Sequence, residues 1–424
     1  MDYFAQFPRF GGSANLEPMR RLMAALGNPQ KRLRCVHIAG TNGKGSITAM
    51  TASMLRQAGY RVGMYTSPYI LRFAERMQVD GAPIDDAALR DAVTALEPAV
   101  RALQAQGVPF AQFDIVTAAA FWFFAQRRCD VVCLEVGLGG RLDATNVIDA
   151  DCCAAAVIGA IGLDHTQILG DTVEQIAREK CGIIKQGADV VCYPLQPDGA
   201  LEEILRATAE HSARLHMPAV GGLRDTTADP LHPSFTFGGQ PYTLRLLGRH
   251  QLYNAMTAIE TAHVLRGKGF ALTDAHIRDG LRTASLPVRL QKVADRPVVL
   301  LDGAHNPHGA AALADFLTEL RRAGYRVALV LGMLADKDVA GAVSRLTAAC
   351  DAAAAVPVDS PRALAADALY PLLRCGRKAR FSDVLEAIDW AKEQAGPDGA
   401  VVVAGSLFLA AEALRRLVGE TVTW

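Results

Sequence analysis

The residues with most scope for chemistry meet at one junction. Val36-His37-Ile38-Ala39-Gly40-Thr41-Asn42-Gly43-Lys44-Gly45-Ser46 reads as an apolar strand, a glycine-rich turn and the start of a helix. Such a turn lets backbone N–H groups converge on phosphate oxygens, and the helix N-terminus adds its partial positive charge. Lys44 supplies a formal charge for terminal phosphates, and Ser46 can cap the helix. The match to GxxxxGK[ST] is imperfect, because Ile38 stands where the first glycine belongs and Gly45 follows the lysine. A plain strand–turn–helix connection needs no three glycines around one lysine. Gly40, Thr41, Asn42, Gly43, Lys44, Gly45 and Ser46 are therefore read as a phosphate loop.

Three further segments follow apolar runs, where parallel sheets place ligand sites. They are Thr66-Ser67-Pro68-Tyr69, Glu135-Val136-Gly137-Leu138-Gly139-Gly140-Arg141-Leu142-Asp143 and Gly162-Leu163-Asp164-His165-Thr166. Mg²⁺ takes few protein ligands, mostly oxygens, beside waters and phosphates. A hydroxyl (Ser67), a carboxylate (Glu135) and an imidazole (His165) fit that demand loosely. Each also has an ordinary reading: a turn serine, a satisfied carboxylate at a strand end, a hydrogen-bonded structural histidine. Lys180, in Arg178-Glu179-Lys180-Cys181, reads by chemistry alone as a lysine facing a helix C-terminus.

These groups need elements to hold them. Apolar runs at Cys35–Ala39, Val131–Val136, Ala154–Ile158, Val190–Tyr193, Val298–Asp302, Val327–Leu331 and Val401–Ala404 read as strands. Lys44–Ala58, Val173–Lys180, Gln251–Arg266, Asp274–Thr283, Pro307–Arg322 and Leu407–Leu417 read as helices. The alternation predicts an α/β chain with mostly parallel sheets. From Thr208 to Gly248 the rhythm breaks. Ser234–Phe237 and Tyr242–Leu246 read as a hairpin around Gly238-Gly239, expected to end the first domain. The boundary is expected near Ser285–Arg289, giving domains 1–286 and 287–424.

Composition narrows the class. The chain has 424 residues, 50% hydrophobic and 21% charged, with 44 basic against 44 acidic side chains. That suits two globular cores with no net field toward nucleic acid or an anionic membrane. Nine cysteines without CxxC or zinc-like spacing read as free thiols in a reducing compartment. Met1–Phe10 lacks the pattern of a secretory signal, and no apolar run is long enough to span a bilayer. A cytoplasmic enzyme is the expectation.

Taken together, the motifs resemble the folylpolyglutamate synthase family of Mur-type ligases. The resemblance rests on Gly40–Ser46, Thr66–Tyr69 with Arg72-Phe73-Ala74-Glu75-Arg76, and Glu135–Asp143 with Ala144-Thr145-Asn146. Leu163-Asp164-His165, Arg178-Glu179-Lys180 and Leu301-Asp302-Gly303-Ala304-His305-Asn306-Pro307 follow in order. It covers nearly the whole chain and looks like the bacterial bifunctional dihydrofolate synthase/folylpolyglutamate synthase form. The resemblance implies a Mur-ligase-like P-loop ATPase domain with a mostly parallel sheet, a smaller Rossmann-like C-terminal α/β domain, and an active site between them. It implies that ATP is held by the phosphate loop, Asn254, Arg289 and Asp302, and Mg²⁺ by Ser67, Glu135 and His165. Lys180 would be carbamylated, His305 would lie nearby as a candidate base, and a monovalent cation such as K⁺ would fit the family. The pterin would lie against Leu16, Glu17, Pro18 and Met19, against Ala111, Gln112, Phe113 and Asp114, and against Arg141, Leu142 and Asp143.

The implied partners are ATP, L-glutamate, dihydropteroate, and tetrahydrofolate with its polyglutamates, handled by a monomer. One departure stands out. The family often has Pro-Gly-Arg before the second domain, whereas this chain has Pro287-Val288-Arg289, and valine tolerates positive φ poorly. Two other readings share the phosphate loop. A peptidoglycan Mur ligase would carry a further domain for a UDP-sugar, for which the residues before Gly40 leave little room. A nucleotide-dependent switch protein would leave the metal and second-domain motifs without a role.

Overall fold

A computed structural model of the chain describes residues 2–8, 15–335 and 339–419. Met1, Arg9 and Phe10 of the N-terminal stretch lie outside the described residues. The chain divides into two compact units: Met1–Leu223 with Tyr253–Ala284, and Arg224–Leu252 with Ser285–Trp424.

Unit 1 is built on an eight-stranded sheet. Its strands are β1 (Cys35–Ala39), β2 (Val62–Tyr65), β3 (Met77–Val79), β4 (Ala82–Pro83), β5 (Val131–Glu135), β6 (Cys153–Ile158), β7 (Asp189–Cys192) and β8 (Arg214–His216). The order is β4-β3-β2-β5-β1-β6-β7-β8. From β2 to β8 all neighbours are parallel, and β3 and β4 add antiparallel at one edge. β1, β5 and β6 are buried along their whole length, which is why they read as unbroken apolar runs. The Lys44–Gln57 and Gln112–Gln126 helices are buried on most sides and carry little amphipathic signal. The chain leaves β1 on one side and later returns to flank it with β5 and β6. The segments after β1, β5 and β6 thus converge at one carboxyl edge, the usual ligand position in such sheets.

Unit 2 holds the hairpin β9 (Ser234–Phe237) and β10 (Gln240–Thr243) and a six-stranded sheet. The sheet contains β11 (Gln291–Asp295), β12 (Val298–Leu301), β13 (Val327–Leu331), β14 (Ala352–Ala355), β15 (Arg377–Arg380) and β16 (Ala400–Ala404), in the order β11-β12-β16-β13-β14-β15. Only β11 runs antiparallel to its neighbour.

The predicted strands and helices fall within one residue of the observed ends, apart from the second hairpin strand. Gly238 and Gly239 both adopt positive φ (58° and 76°), forming a two-residue turn that obliges β10 to begin at Gln240 rather than Tyr242. The hairpin also groups differently from expectation. Leu231 and Leu247 pack with Leu290, Val298 and Leu317, so residues 224–252 cluster with unit 2 instead of closing the first domain. Loss of rhythm marked the segment in sequence, but only packing reveals which core buries it.

Val288 adopts φ +49° and is fully buried. Its N–H donates to Gln291 Oε1 at 3.0 Å, and its carbonyl accepts from Gly303 N at 2.8 Å. The turn is made despite the absent glycine. A β-branched residue there costs about 1–3 kcal/mol, while the buried side chain returns about 1.5–3 kcal/mol. Val288→Gly is therefore expected to shift unfolding free energy by less than about 2 kcal/mol. Val288→Ala, which loses packing yet keeps a Cβ in the left-handed region, should be the less stable variant. Chemical denaturation of both decides it; a glycine variant well below the alanine one would refute the strain argument.

Candidate active site

The phosphate loop is fastened to the segment after β6. Thr41 N and Asn42 N donate to Ala160 O (2.8 and 3.1 Å). Thr41 Oγ1 donates to Gly162 O at 2.9 Å and accepts from Gly162 N at 3.1 Å. Lys44 Nζ donates to Gly40 O (2.8 Å) and Thr41 O (3.1 Å), so the ammonium is folded over the loop it belongs to. Gly43 has φ +80°, and a Cβ there would lie 2.4 Å from Asn254 Oδ1. Asn254 is thus packed directly on the loop. Ser46 is buried in the first turn. The cap expected of it is absent: Gly43 occupies the N-cap position, and no side chain caps the helix.

Two of the three candidate metal ligands are neighbours. Glu135 ends β5 and is 4% exposed, and its Oε2 accepts from Ser67 N at 3.2 Å. The stretch after Ser67 is held by Glu75, whose carboxylate accepts from Ile70 N (2.7 Å), Leu71 N (3.1 Å) and Arg72 N (2.9 Å). His165 sits on the other side of β1, after β6, in the left-handed region (φ +49°) and largely exposed. Its N–H donates to Asp164 Oδ1 at 2.9 Å. Among the described residues no three His, Cys, Asp or Glu form a metal-holding cluster. Mg²⁺ does not require one, because waters and phosphates complete its shell. A buried carboxylate beside a serine, with an imidazole further along the same edge, is a donor set compatible with that ion.

Gly40, Thr41, Lys44, Gly137, Asp164, His165 and Lys180 line a small cavity of about 30 Å³. Lys180 is 4% exposed. Burial first, and the Lys44 charge second, lower its amine to about 7. Two cations at one small cavity favour an anion between them. Glycines permit the approach. A Cβ on Gly140 would come within 2.8 Å of the Glu179 and Lys180 carbonyls, and Arg141 N donates to Glu179 O at 2.8 Å.

The three segments assigned to the pterin come together in unit 1. The Glu17–Ala25 helix packs on the Gln112–Gln126 helix and on the Ala144–Val147 turn. A Cβ on Gly137 would strike the Phe113 ring at 2.5 Å, so the Cζ end of that ring closes on the strand-end loop. Several of the named groups already serve the fold. Asp114 Oδ2 accepts from Ala111 N at 2.8 Å, and Gln112 Nε2 donates to Phe4 O at 3.1 Å. Asp143 accepts from Leu138 N (2.9 Å) and Thr145 Oγ1 (2.5 Å), with burial raising its carboxyl above the usual range. Arg141 forms a fork with Glu179 at 2.8 and 3.0 Å. Leu16, Pro18 and Met19 are buried, whereas Glu17 and Leu142 are exposed.

In unit 2, Asp302 follows β12. It accepts from Leu290 N (2.9 Å) and Ala304 N (2.8 Å), and burial raises its carboxyl despite the Arg289 charge. Arg289 lies over Gly303, where a Cβ would be 2.7 Å from Nη1. His305 Nδ1 contacts Gly303 O at 2.8 Å. Arg289, Asp302 and His305 are therefore gathered at one strand end. Reading residues singly missed Glu75, Asn146 and Arg76. Asn146 Nδ2 ties Arg141 O to Gly182 O at 3.0 Å each. Arg76 has Nε and Nη1 buried without a partner among the described residues, and its guanidinium lies 5.3 Å from the Tyr69 ring centroid. All three lie inside stretches that carried the resemblance, but residue type alone gave no signal.

Comparison with known proteins gives the family. Residues 288–407 match the family model described as Mur ligase, glutamate ligase domain. The dihydrofolate synthase/folylpolyglutamate synthase of Bacillus subtilis is 38% identical over 96% of this chain and 96% of its own. The solved structure of Escherichia coli FolC in complex with DHPP and ADP has a TM-score of 0.84 and 34% identity, covering 98% of this chain and 96% of that one. A bifunctional folylpolyglutamate synthase/dihydrofolate synthase with Mn, AMPPNP and L-glutamate bound has a TM-score of 0.81 and 33% identity, with 98% and 96% covered. With a phosphate loop, a neighbouring carboxylate and a matching glutamate ligase region along one nearly full-length likeness, the chain belongs to the dihydrofolate synthase/folylpolyglutamate synthase family of Mur-type, ATP-dependent ligases.

Proposed function

We propose that this chain joins L-glutamate to dihydropteroate, forming dihydrofolate, and to the γ-carboxylate of tetrahydrofolate and its polyglutamates. The observation that carries the reading is the phosphate loop facing two lysines at one small cavity, beside a buried strand-end carboxylate. A carboxylate does not condense with an amine at useful rates in water, so it must first be activated. In the proposed route the γ-phosphoryl of ATP passes to the substrate carboxylate, giving an acyl phosphate and ADP. The glutamate nitrogen attacks the acyl carbon, the bond to phosphate oxygen breaks, and inorganic phosphate leaves as the nitrogen loses a proton. The protein's part is to orient reactants and to stabilise developing charge.

Lys44 and the loop amides hold the phosphates in this reading, and Asn254 contacts the adenine. Mg²⁺, held by Ser67, Glu135 and His165, would neutralise phosphate charge, and a monovalent cation such as K⁺ belongs to the same proposal. Arg289 and Asp302 are assigned to the nucleotide. His305 is the candidate base; an Nδ1–H donating to Gly303 O puts the ring's lone pair on Nε2. The pterin is assigned to the segments around Leu16–Met19, Ala111–Asp114 and Arg141–Asp143. Lys180, with its amine lowered to about 7, can add CO₂ as the neutral base, losing a proton to become an anionic carbamate. That change would replace a like-charge clash with Lys44 by an attraction. A monomer in the cytoplasm completes the proposal. All nine cysteines are free, and no described helix is long and apolar enough to cross a membrane.

Three outcomes are expected. ADP release should require both glutamate and a pterin acid such as dihydropteroate, with a glutamylated product by mass; release driven by a UDP-muramyl peptide instead would overturn the substrate assignment. Lys44→Ala should lower kcat by about 100-fold or more, one such charge being worth roughly 2.7–4 kcal/mol of barrier; near-normal turnover would remove the loop from the mechanism. With ¹³C-bicarbonate, a carbamate resonance should grow as pH rises through about 7, because only the neutral amine reacts, and should vanish in Lys180→Ala. A resonance indifferent to that substitution would exclude Lys180.

A further inference from the structure

A second reactive site lies in unit 2, at the opposite edge of its sheet from Asp302. β14 and β15 are parallel, with Ala352 opposite Arg377 and Ala355 opposite Arg380. Two residues before each strand stand Cys350 and Cys375. The pairing brings together the segments that lead into the two strands, and Cys375 packs against the cluster of buried side chains that contains Cys350. Parallel neighbours lie about 4.8 Å apart, inside the roughly 4.4–6.8 Å Cα separation that a disulfide spans. The two thiols are near enough to perturb one another's titration. We propose that Cys350 and Cys375 form a reversible disulfide site, closed by a peroxide and reopened by a dithiol.

The two sulfurs have different parts. Cys375 is only partly buried, while the other eight cysteines are buried. The neighbouring Cys350 thiol first, helped by Lys378, holds the Cys375 thiol below its usual range. The Cys375 neighbour first, and burial second, push Cys350, 5% exposed, the other way, so it stays a thiol. Its Sγ lies 3.5 Å from Thr347 O, and that of Cys375 lies 3.1 Å from Arg377 O. Cys375 is thus the attacking thiolate and Cys350 the resolving thiol. The Cys375 sulfur attacks hydrogen peroxide, an S–O bond forms as O–O breaks, and hydroxide leaves to take a proton. Cys350 sulfur then attacks that sulfur, S–S forms, S–O breaks, and water departs with the Cys350 proton. Overall, two thiols and one peroxide give one disulfide and two waters.

The disulfide would fasten the edge strand β15 to β14 at their amino ends. The pair lies outside every segment assigned to substrate or nucleotide, so glutamate ligation serves as the check that treated protein remains folded. The test is peptide mapping of the folded full-length chain after brief treatment with hydrogen peroxide and rapid alkylation, without reductant. A Cys350–Cys375 cross-linked peptide should appear first, at least about tenfold faster than modification of any other cysteine, and dithiothreitol should abolish it. In Cys350→Ser, dimedone should trap a sulfenic acid at Cys375. The wild-type map alone decides the matter should that variant fold poorly. The proposal is overturned if wild-type Cys375 proceeds to sulfinic acid without a cross-link. It also fails if the pair reacts no faster than the buried cysteines or than the same chain unfolded in urea.

Discussion

Two lysine amines at one small cavity are the constraint around which the carboxyl edge of the unit 1 sheet is organised. Lys180 is buried and Lys44 half-buried, and each raises the electrostatic cost of the other. Lys44 answers by folding onto the carbonyls of Gly40 and Thr41. Lys180 answers by giving up part of its proton affinity. Both answers leave the cavity short of negative charge. Glycine is needed where the walls come closest: at Gly43, under Asn254, and at Gly140, against the turn that carries Lys180. A methyl group at either place would move a lysine or a loop away from the cavity.

The layout of the strands explains why these groups meet. β1 lies between β5 and β6, so the phosphate loop has a strand-end segment on each side. One side brings Glu135 with Ser67, the other brings Gly162 to His165. Unit 2 repeats the device on its own sheet, where Asp302 leaves β12 and its carboxylate fixes the backbone on both flanks. In both cases a buried acid shapes the loop beside it. Burial raises the Asp143 and Asp302 carboxyls, and hydrogen bonds from backbone amides offset part of that cost.

Much of this was legible in the residues. Strands buried on both faces announce themselves as apolar runs, and the glycines around Lys44 mark a tight turn at a helix start. What was not legible depended on contacts between distant positions. The Gln112–Gln126 helix is apolar almost all round, so periodicity could not separate it from its surroundings. The core that claims Leu231 and Leu247 belongs to residues that follow much later in the chain. Asp143 and Arg141 read as available for a ligand, yet much of their bonding capacity is engaged at home. Val288 shows the converse: composition argued against a left-handed turn, and packing imposed it.

Glu75 carries a consequence of its own. Its buried carboxylate gathers three successive amides from the stretch just after Ser67. Releasing them singly would strand charge away from solvent, at a cost of roughly 1–3 kcal/mol for each group left unmatched. The stretch must therefore hold still or move as a block. Any suppleness needed here has to come from the joints at its two ends, and the serine beside it is held in one position against Glu135.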